Sequence, residues 1–255
     1  MQRWFFLIVI WLFQSSLAAE PLQLVTLQYP PYIYEQQGMV RGVAVDLVQQ
    51  AFADMDVDIN IRILPWARAI SDIEYGKADA IFTAFKTPER ERFADYSEEV
   101  LFLQNINIIQ ARDHPLDWQR HGARMSLCLV NNVSYGKHMD ALINQSYFAA
   151  LYRTNGASQC AQMLATGRAD IWVNNEYGAR VIIQRLRLEQ KLLIHQPAVQ
   201  STASYIAFSK QRQRSAIRDR FDRALKKMKQ DGRYQQLIDQ AASEAGLLSH
   251  GTLLH

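Results

Sequence analysis

Metal and redox signatures are missing from this sequence of 255 residues. Its two cysteines, Cys128 and Cys160, lack the CxxC spacing of zinc and thiol-redox sites. The six histidines are scattered, and none forms a metal-type pair on one helix face with an acid nearby. No metal or cofactor is therefore expected. A dominant charge sign is also lacking. The chain carries 28 Lys and Arg against 25 Asp and Glu, whereas a dedicated nucleic-acid binder would show a basic domain. Beyond the N-terminus no second long hydrophobic run appears.

What is present begins with Arg3, an apolar run from Trp4 to Phe13 and the small residues Ser15 to Ala19. This is the layout of a secretory signal peptide, and the run is shorter than the roughly 20 apolar residues of a membrane-spanning helix. Residues 1–19 therefore read as a leader, cleaved near Ala19. No cysteine stands at the cleavage region, which argues against a lipid anchor. In an exported chain Cys128 and Cys160 can form a disulfide; the alternative is two inert buried thiols. The basic stretch from Lys210 to Arg233 reads as a solvated helix face, because Ile217, Phe221, Leu225 and Met228 recur at helical spacing. A docking surface or a nucleic-acid contact is the alternative.

Strand-like and helix-like runs alternate along the rest. Leu22–Leu27 reads as a strand, Val43–Ala53 as a helix, Val57–Leu64 as a strand, Trp66–Tyr75 as a helix and Ala78–Phe82 as a strand. A second series repeats the pattern over Met125–Val130, Tyr135–Leu142, Phe148–Tyr152, Ser158–Thr166 and Ala169–Val173. Such alternation implies βαβ units and a mostly parallel sheet. The two series share a detail: Gly76-Lys77-Ala78-Asp79 and Gly167-Arg168-Ala169-Asp170 each end a helix on a C′ glycine and re-enter a strand. Two lobes of like construction are expected, each with its own sheet and both facing one cleft.

The segment Thr87-Pro88-Glu89-Arg90 signals a helix start, with Thr87 at the N-cap and Pro88 at the first helical position. Arg90 and Arg92 would then sit at the positive end of a helix dipole, where a cation calls for an anion. Backbone N–H groups and a guanidinium fork suit a carboxylate. The alternative is that Arg90 pairs with a protein acid such as Asp95 or Glu98.

Several segments fall in a telling order: Tyr29-Pro30-Pro31-Tyr32, Gly38 to Gly42 before Val45-Asp46-Leu47, Gly76-Lys77-Ala78-Asp79, Thr87-Pro88-Glu89-Arg90 and Asp95-Tyr96-Ser97. The series continues through Gly167-Arg168-Ala169-Asp170, Ile206-Ala207-Phe208-Ser209-Lys210 and Asp231-Gly232. It resembles the bacterial extracellular solute-binding proteins of family 3, the receptors of polar amino-acid uptake systems, over essentially the whole mature chain. The resemblance implies an α/β, type II periplasmic-binding fold of two Rossmann-like lobes joined by two hinge strands. Residues 20–99 would open lobe 1, 100–104 form a hinge, 105–199 make lobe 2, 200–204 form the second hinge and 205–255 return to lobe 1.

By the same resemblance Arg90 grips the ligand's α-carboxylate and Tyr32 walls its side-chain pocket, with Phe82 and Trp66 as further candidates; the alternative for all three is packing in the core. Phe85 and Thr83 stand where many relatives offer a Thr hydroxyl or a Gly backbone, which reshapes the anion pocket. A Gly-rich turn of lobe 2 is replaced by Asn131-Asn132-Val133-Ser134, where Asn tolerates left-handed backbone and Ser134 can cap the next helix. The usual Asp partner of a ligand ammonium is Asn175 here, followed by Glu176. Either Glu176 takes over that role or the ligand carries no ordinary α-amino group. The expected function is that of a monomeric periplasmic receptor delivering a small carboxylate-bearing ligand, an amino acid or a derivative, to the membrane permease of an ABC transporter. The rivals are a cyclohexadienyl-type dehydratase with Glu176 as its acid and a soluble sensor module for a membrane partner.

Overall fold

The computed structural model describes residues 20–113 and 117–244; the expected signal peptide, residues 1–19, lies outside the described residues, as do residues 245–255. The first half runs β1 (Leu22–Thr26), a hairpin of β2 (Tyr34–Gln36) and β3 (Met39–Arg41), α1 (Val43–Ala53), β4 (Ile59–Ile63), α2 (Trp66–Glu74), β5 (Ala80–Phe85) and β6 (Ala94–Tyr96). A long strand, β7 (Phe102–Ala111), leads into the second half. There α3 (Trp118–His121), β8 (Ser126–Val130), α4 (Lys137–Asn144), β9 (Ala150–Thr154), α5 (Ala157–Ala165), β10 (Ile171–Asn175), α6 (Glu176–Arg185) and β11 (Leu192–Ile194) follow. The equally long β12 (Gln200–Ser209) returns to the first half, which α7 (Ser215–Gln230) and α8 (Arg233–Glu244) complete.

Each lobe buries what its pattern announces. Leu47, Val48, Ala51 and Phe52 of α1 pack with Leu24, Phe82 and Phe208, and with Phe221, Leu225 and Met228 of α7. The basic stretch thus turns its apolar stripe inward, as its spacing requires. In the second lobe the period-two alternation of β8 divides the core: Leu127 and Leu129 face one cluster and Cys128 the other.

The expectation of a separate sheet for each lobe is corrected. The strands are hydrogen-bonded in the order β4-β1-β5-β12-β7-β10-β8-β9, with β6 and β11 on the flanks. The join is the antiparallel pairing of β7 with β12, from Phe102↔Ser204 to Ile106↔Gln200. Each of these strands is long enough to pair in both lobes: β12 also pairs with β5, and β7 also pairs with β10, both antiparallel. The sheet is therefore mixed, while the pairings of β1 with β4 and β8 with β9 are parallel as expected.

The shared Gly-x-Ala-Asp segments do the same structural work twice. Gly76 (φ 65°) and Gly167 (φ 68°) are left-handed. After each, Lys77 N donates to Asp72 O at 2.7 Å and Arg168 N to Met163 O at 2.8 Å, the long bond of a Schellman stop. The following aspartates then reach back to the first strand of their lobe. Asp79 accepts from Gln23 N at 2.9 Å and Asp170 from Ser126 N at 2.7 Å.

Cys128 and Cys160 are joined in a disulfide that ties β8 to α5. Both are fully buried. The bridge closes a loop with a sequence separation of 32, for which the chain-entropy relation gives about 3–4 kcal/mol of stabilisation. A Cys128→Ala/Cys160→Ala variant should lose about that much in urea denaturation. An unchanged midpoint would contradict the assignment.

Candidate ligand-binding cleft

The cleft is built on an irregularity in β5. The pairing of β5 with β12 slips between Tyr205 and Ile206, which face Ala84 and Phe82, so Thr83 is the extra residue of a bulge. Its φ is 63°, a conformation costing a β-branched residue roughly 1–2 kcal/mol. The Thr83 hydroxyl donates to Phe82 O at 2.6 Å and lies 3.4 Å from Thr26 Oγ1. Bulges recur beside sites because they re-aim side chains. Here Phe82 stays in the lobe core, while Thr83 and Phe85 reach the cleft.

Downstream of β5 the expected helix is corrected to a single 3₁₀ turn, Arg90–Arg92. Thr87 Oγ1 does accept from Arg90 N at 3.3 Å, but a turn this short sums no useful macrodipole. Arg90 holds its place by other means. It is only 7% exposed, with Nη1 donating to Phe85 O at 3.0 Å and Nη2 to Asn132 O at 2.8 Å. Its guanidinium carbon lies 5.5 Å from the centroid of the Trp66 ring. Asn132 belongs to the turn after β8 and has φ 56°, so the left-handed turn forms without glycine. Arg90 therefore bridges the two lobes.

Among the described residues no acid pairs with it, and Asp95 lies 3.7 Å from Lys210 instead. The Tyr96 phenol, which shares Phe85 O as an acceptor, is pushed up to about 12, chiefly by burial, although Arg90 pulls the other way. It is neutral at physiological pH. Two charge-assisted hydrogen bonds, each worth about 1.5–3 kcal/mol, and a cation–π contact of about 1–2 kcal/mol offset the several kcal/mol of burying the ion. A guanidinium has five N–H donors, more than these two carbonyls and the neighbouring Tyr96 phenol occupy.

A cavity of about 370 Å³ lies between the lobes, lined by Arg90, Trp66, Thr83 and Phe85 from one side and by Val130, Val133, Ser134 and Tyr135 from the other. It falls at the small end of ligand sites, roughly 300–1,000 Å³. Five expected site residues thus line it: Arg90, Trp66, Thr83, Phe85 and Ser134. Ser134 does not cap α4, whose N-cap is Gly136; its hydroxyl donates to Asp140 and accepts from Gly136 N at 3.2 Å.

Four expected residues lie outside the lining. Tyr32 is stacked in the core between Tyr29, at 5.5 Å, and Phe102, at 4.8 Å. Phe82 is in the core of lobe 1. Asn175 caps α6, its Oδ1 accepting from Gly178 N at 3.1 Å. Glu176 is held by Arg180 Nη2 at 2.9 Å and Gln196 Nε2 at 3.0 Å. In exchange the cleft gains Tyr29, Gln104 and Asn174, which the sequence reading passed over. Burial holds the Tyr29 phenol well above its ordinary value, with Tyr32 and then Tyr135 adding to the effect, so it stays neutral. Gln104 and Asn174 are both buried, but each has polar neighbours in its own strand, Asn105 and Asn107 in β7 and Asn175 in β10, so the sequence alone does not single them out.

Residues 23–243 match the pattern of the bacterial extracellular solute-binding proteins, family 3. Among solved structures the chain is similar to a histidine kinase sensor domain that itself resembles periplasmic binding proteins. The TM-score is 0.77 at 20% identity, covering 87% of this chain and 95% of that one. It is similar also to an ancestral arginine-binding protein bound to arginine, with a TM-score of 0.76 at 18% identity, covering 86% and 97%. Both are likenesses of fold. Membrane-bound lytic murein transglycosylase F of Desulfosudis oleivorans is 23% identical over 145 residues, 56% of this chain. The chain spans 32% of that protein's length. With two α/β lobes on a pair of crossover strands and a family match over nearly all the described residues, the chain belongs to the bacterial extracellular solute-binding proteins, family 3.

Proposed function

We propose that the chain is a periplasmic receptor whose lobes close on a small carboxylate-bearing solute of amino-acid size and present it to the permease of an ABC transporter. The observation that carries this reading is Arg90, a buried guanidinium at the junction of the lobes with no acid beside it. Of the described residues, lobe 1 comprises 20–99 and 205–244, lobe 2 105–113 and 117–199, and the segments 100–104 and 200–204 act as hinges. The pairing of β7 with β12 supports that division, because it is where the chain passes between lobes in both directions. No helix among the described residues is long and apolar enough to cross a membrane, so transport requires a separate membrane partner. A sensor output would use the same closure.

Binding rather than catalysis is favoured by the composition of the cleft. Glu176, the candidate acid of a dehydratase, is tied to Arg180 and Gln196 away from the cavity. Glu176→Gln should leave ligand affinity within about twofold, under 0.5 kcal/mol, and wild-type protein should not turn over a cyclohexadienyl acid in an absorbance assay. Turnover that the substitution abolishes would establish the enzyme instead.

Arg90→Ala should weaken the tightest carboxylate of a thermal-shift screen by about 2–5 kcal/mol, because the ligand's charge would be left without its partner. That is roughly 30-fold to several-thousand-fold in calorimetry. Full-strength binding would remove the site.

Closure itself is testable at Gly178 on α6. A Cβ there would lie 3.2 Å from the Tyr29 ring and 3.6 Å from Pro30 O, both in the opposite lobe. Gly178→Leu should wedge this contact at a cost of about 1–3 kcal/mol, lowering affinity about 5- to 150-fold. Small-angle scattering should show a larger radius of gyration at saturating ligand than for wild type. Equal radii and equal affinity would argue against closure through this contact.

A further inference from the structure

The charges around the cavity are one-sided. Its described lining contains two guanidiniums, Arg90 and Arg185, and no Asp, Glu or His. Arg185 shares a face of α6 with Gly178 and Ile182, at helical spacing of four and three, the face that meets Tyr29 and Pro30 of the other lobe. The two nearby acids are spent inside lobe 2: Glu176 on Arg180 and Gln196, and Asp140 on Ser134 and Tyr135 N.

The neutral oxygens near Arg90 already take part in hydrogen bonds, although none of them carries the negative charge that an ammonium calls for. Phe85 O takes Arg90 and Tyr96, and Asn132 O takes Arg90. Asn155 Oδ1 takes Asn131 Nδ2 at 3.1 Å. The hydroxyl protons of Thr83 and Ser134 go to Phe82 O and Asp140. Donors, by contrast, are in excess. Beyond the spare N–H groups of Arg90, the buried Trp66 Nε1 and Asn174 Nδ2 have no acceptor, and both residues line the cavity. The buried amide of Gln104, with Tyr29 and Ser158, adds neutral groups that can meet a polar atom of the ligand. Much of the remaining wall is apolar, with Ile63, Ile106, Val130, Val133 and Ile182 beside the aromatic rings of Tyr29, Trp66, Phe85 and Tyr135.

We infer that this cleft selects a carboxylic acid with an apolar, branched or aromatic body and no ammonium group, in preference to the corresponding α-amino acid. An ammonium entering it would be desolvated beside the buried Arg90, with the exposed Arg185 at the rim and no carboxylate in the lining to pair with, a penalty of several kcal/mol that water does not exact. A carboxylate meets the opposite conditions, and a hydrocarbon body matches the walls. The inference rests on the proposal that Arg90 holds the carboxylate, and it concerns what the rest of the ligand can be.

The test is calorimetry at pH 7 with matched pairs on wild-type protein: 3-phenylpropanoate against L-phenylalanine, and 4-methylpentanoate against L-leucine. Each deamino acid should bind at least about tenfold more tightly than its amino acid. Arg90→Ala and Arg90→Lys, checked for folding by circular dichroism, should weaken the acids more than tenfold, roughly. Amino acids that bind as tightly as their partners, yet still depend on Arg90, would overturn the inference and spare the carboxylate site. Acids that bind the Arg90 variants undiminished would overturn the site itself. Failure of both acids to bind wild-type protein would also overturn the inference.

Discussion

A guanidinium buried at a domain junction without a counter-ion sets the conditions for everything around it. Arg90 cannot shed its proton, so its charge must be met by dipoles, by an aromatic face or by an incoming anion. The fold supplies the first two, and it supplies the dipoles from both lobes: Phe85 O from the end of β5 and Asn132 O from the turn after β8. Those contacts link the two lobes and fill Phe85 O, which also accepts from Tyr96. The donors that remain face a cavity whose walls are mostly carbon. The proposed affinity for an anion and the proposed penalty on an ammonium would thus both follow from one placement.

The placement depends in turn on backbone choices that look unfavourable in isolation. Thr83 accepts a left-handed conformation to form the bulge that separates Phe82 in the core from Phe85 at the cleft. Asn132 accepts another so that its carbonyl reaches Arg90. Strain of this kind persists where the surroundings over-determine it, and both instances flank the guanidinium. The long crossover strands β7 and β12 hold the two flanks in register.

Much of the architecture was legible in the sequence. Helix α1 falls on its expected bounds, the apolar stripe of α7 is buried, and the paired Gly-x-Ala-Asp segments mark equivalent corners of two lobes. These are signals of local periodicity and capping, which a single sequence displays directly. The joining of the lobes in one hydrogen-bonded sheet was not legible, because pairing between β7 and β12 links segments about a hundred residues apart. The helix expected at Thr87-Pro88 failed because the cap signal is local while the chain must turn back at once into β6. Within the cleft Arg90, Trp66, Thr83, Phe85 and Ser134 were found by motif and resemblance. Tyr32 and Glu176 stand outside the lining, the one stacked on Phe102 and the other paired with Arg180, and Gln104 is one of four polar residues in β7, which no local pattern tells apart.

The most direct measurement is a crystal structure of the wild-type protein soaked with 3-phenylpropanoate. The carboxylate oxygens should lie within hydrogen-bond distance of the Arg90 guanidinium, about 2.7–3.0 Å, with the ring among Trp66, Ile106 and Val133. A ligand whose charged end lies elsewhere, with Arg90 still bonded only to Phe85 O and Asn132 O, would contradict the account.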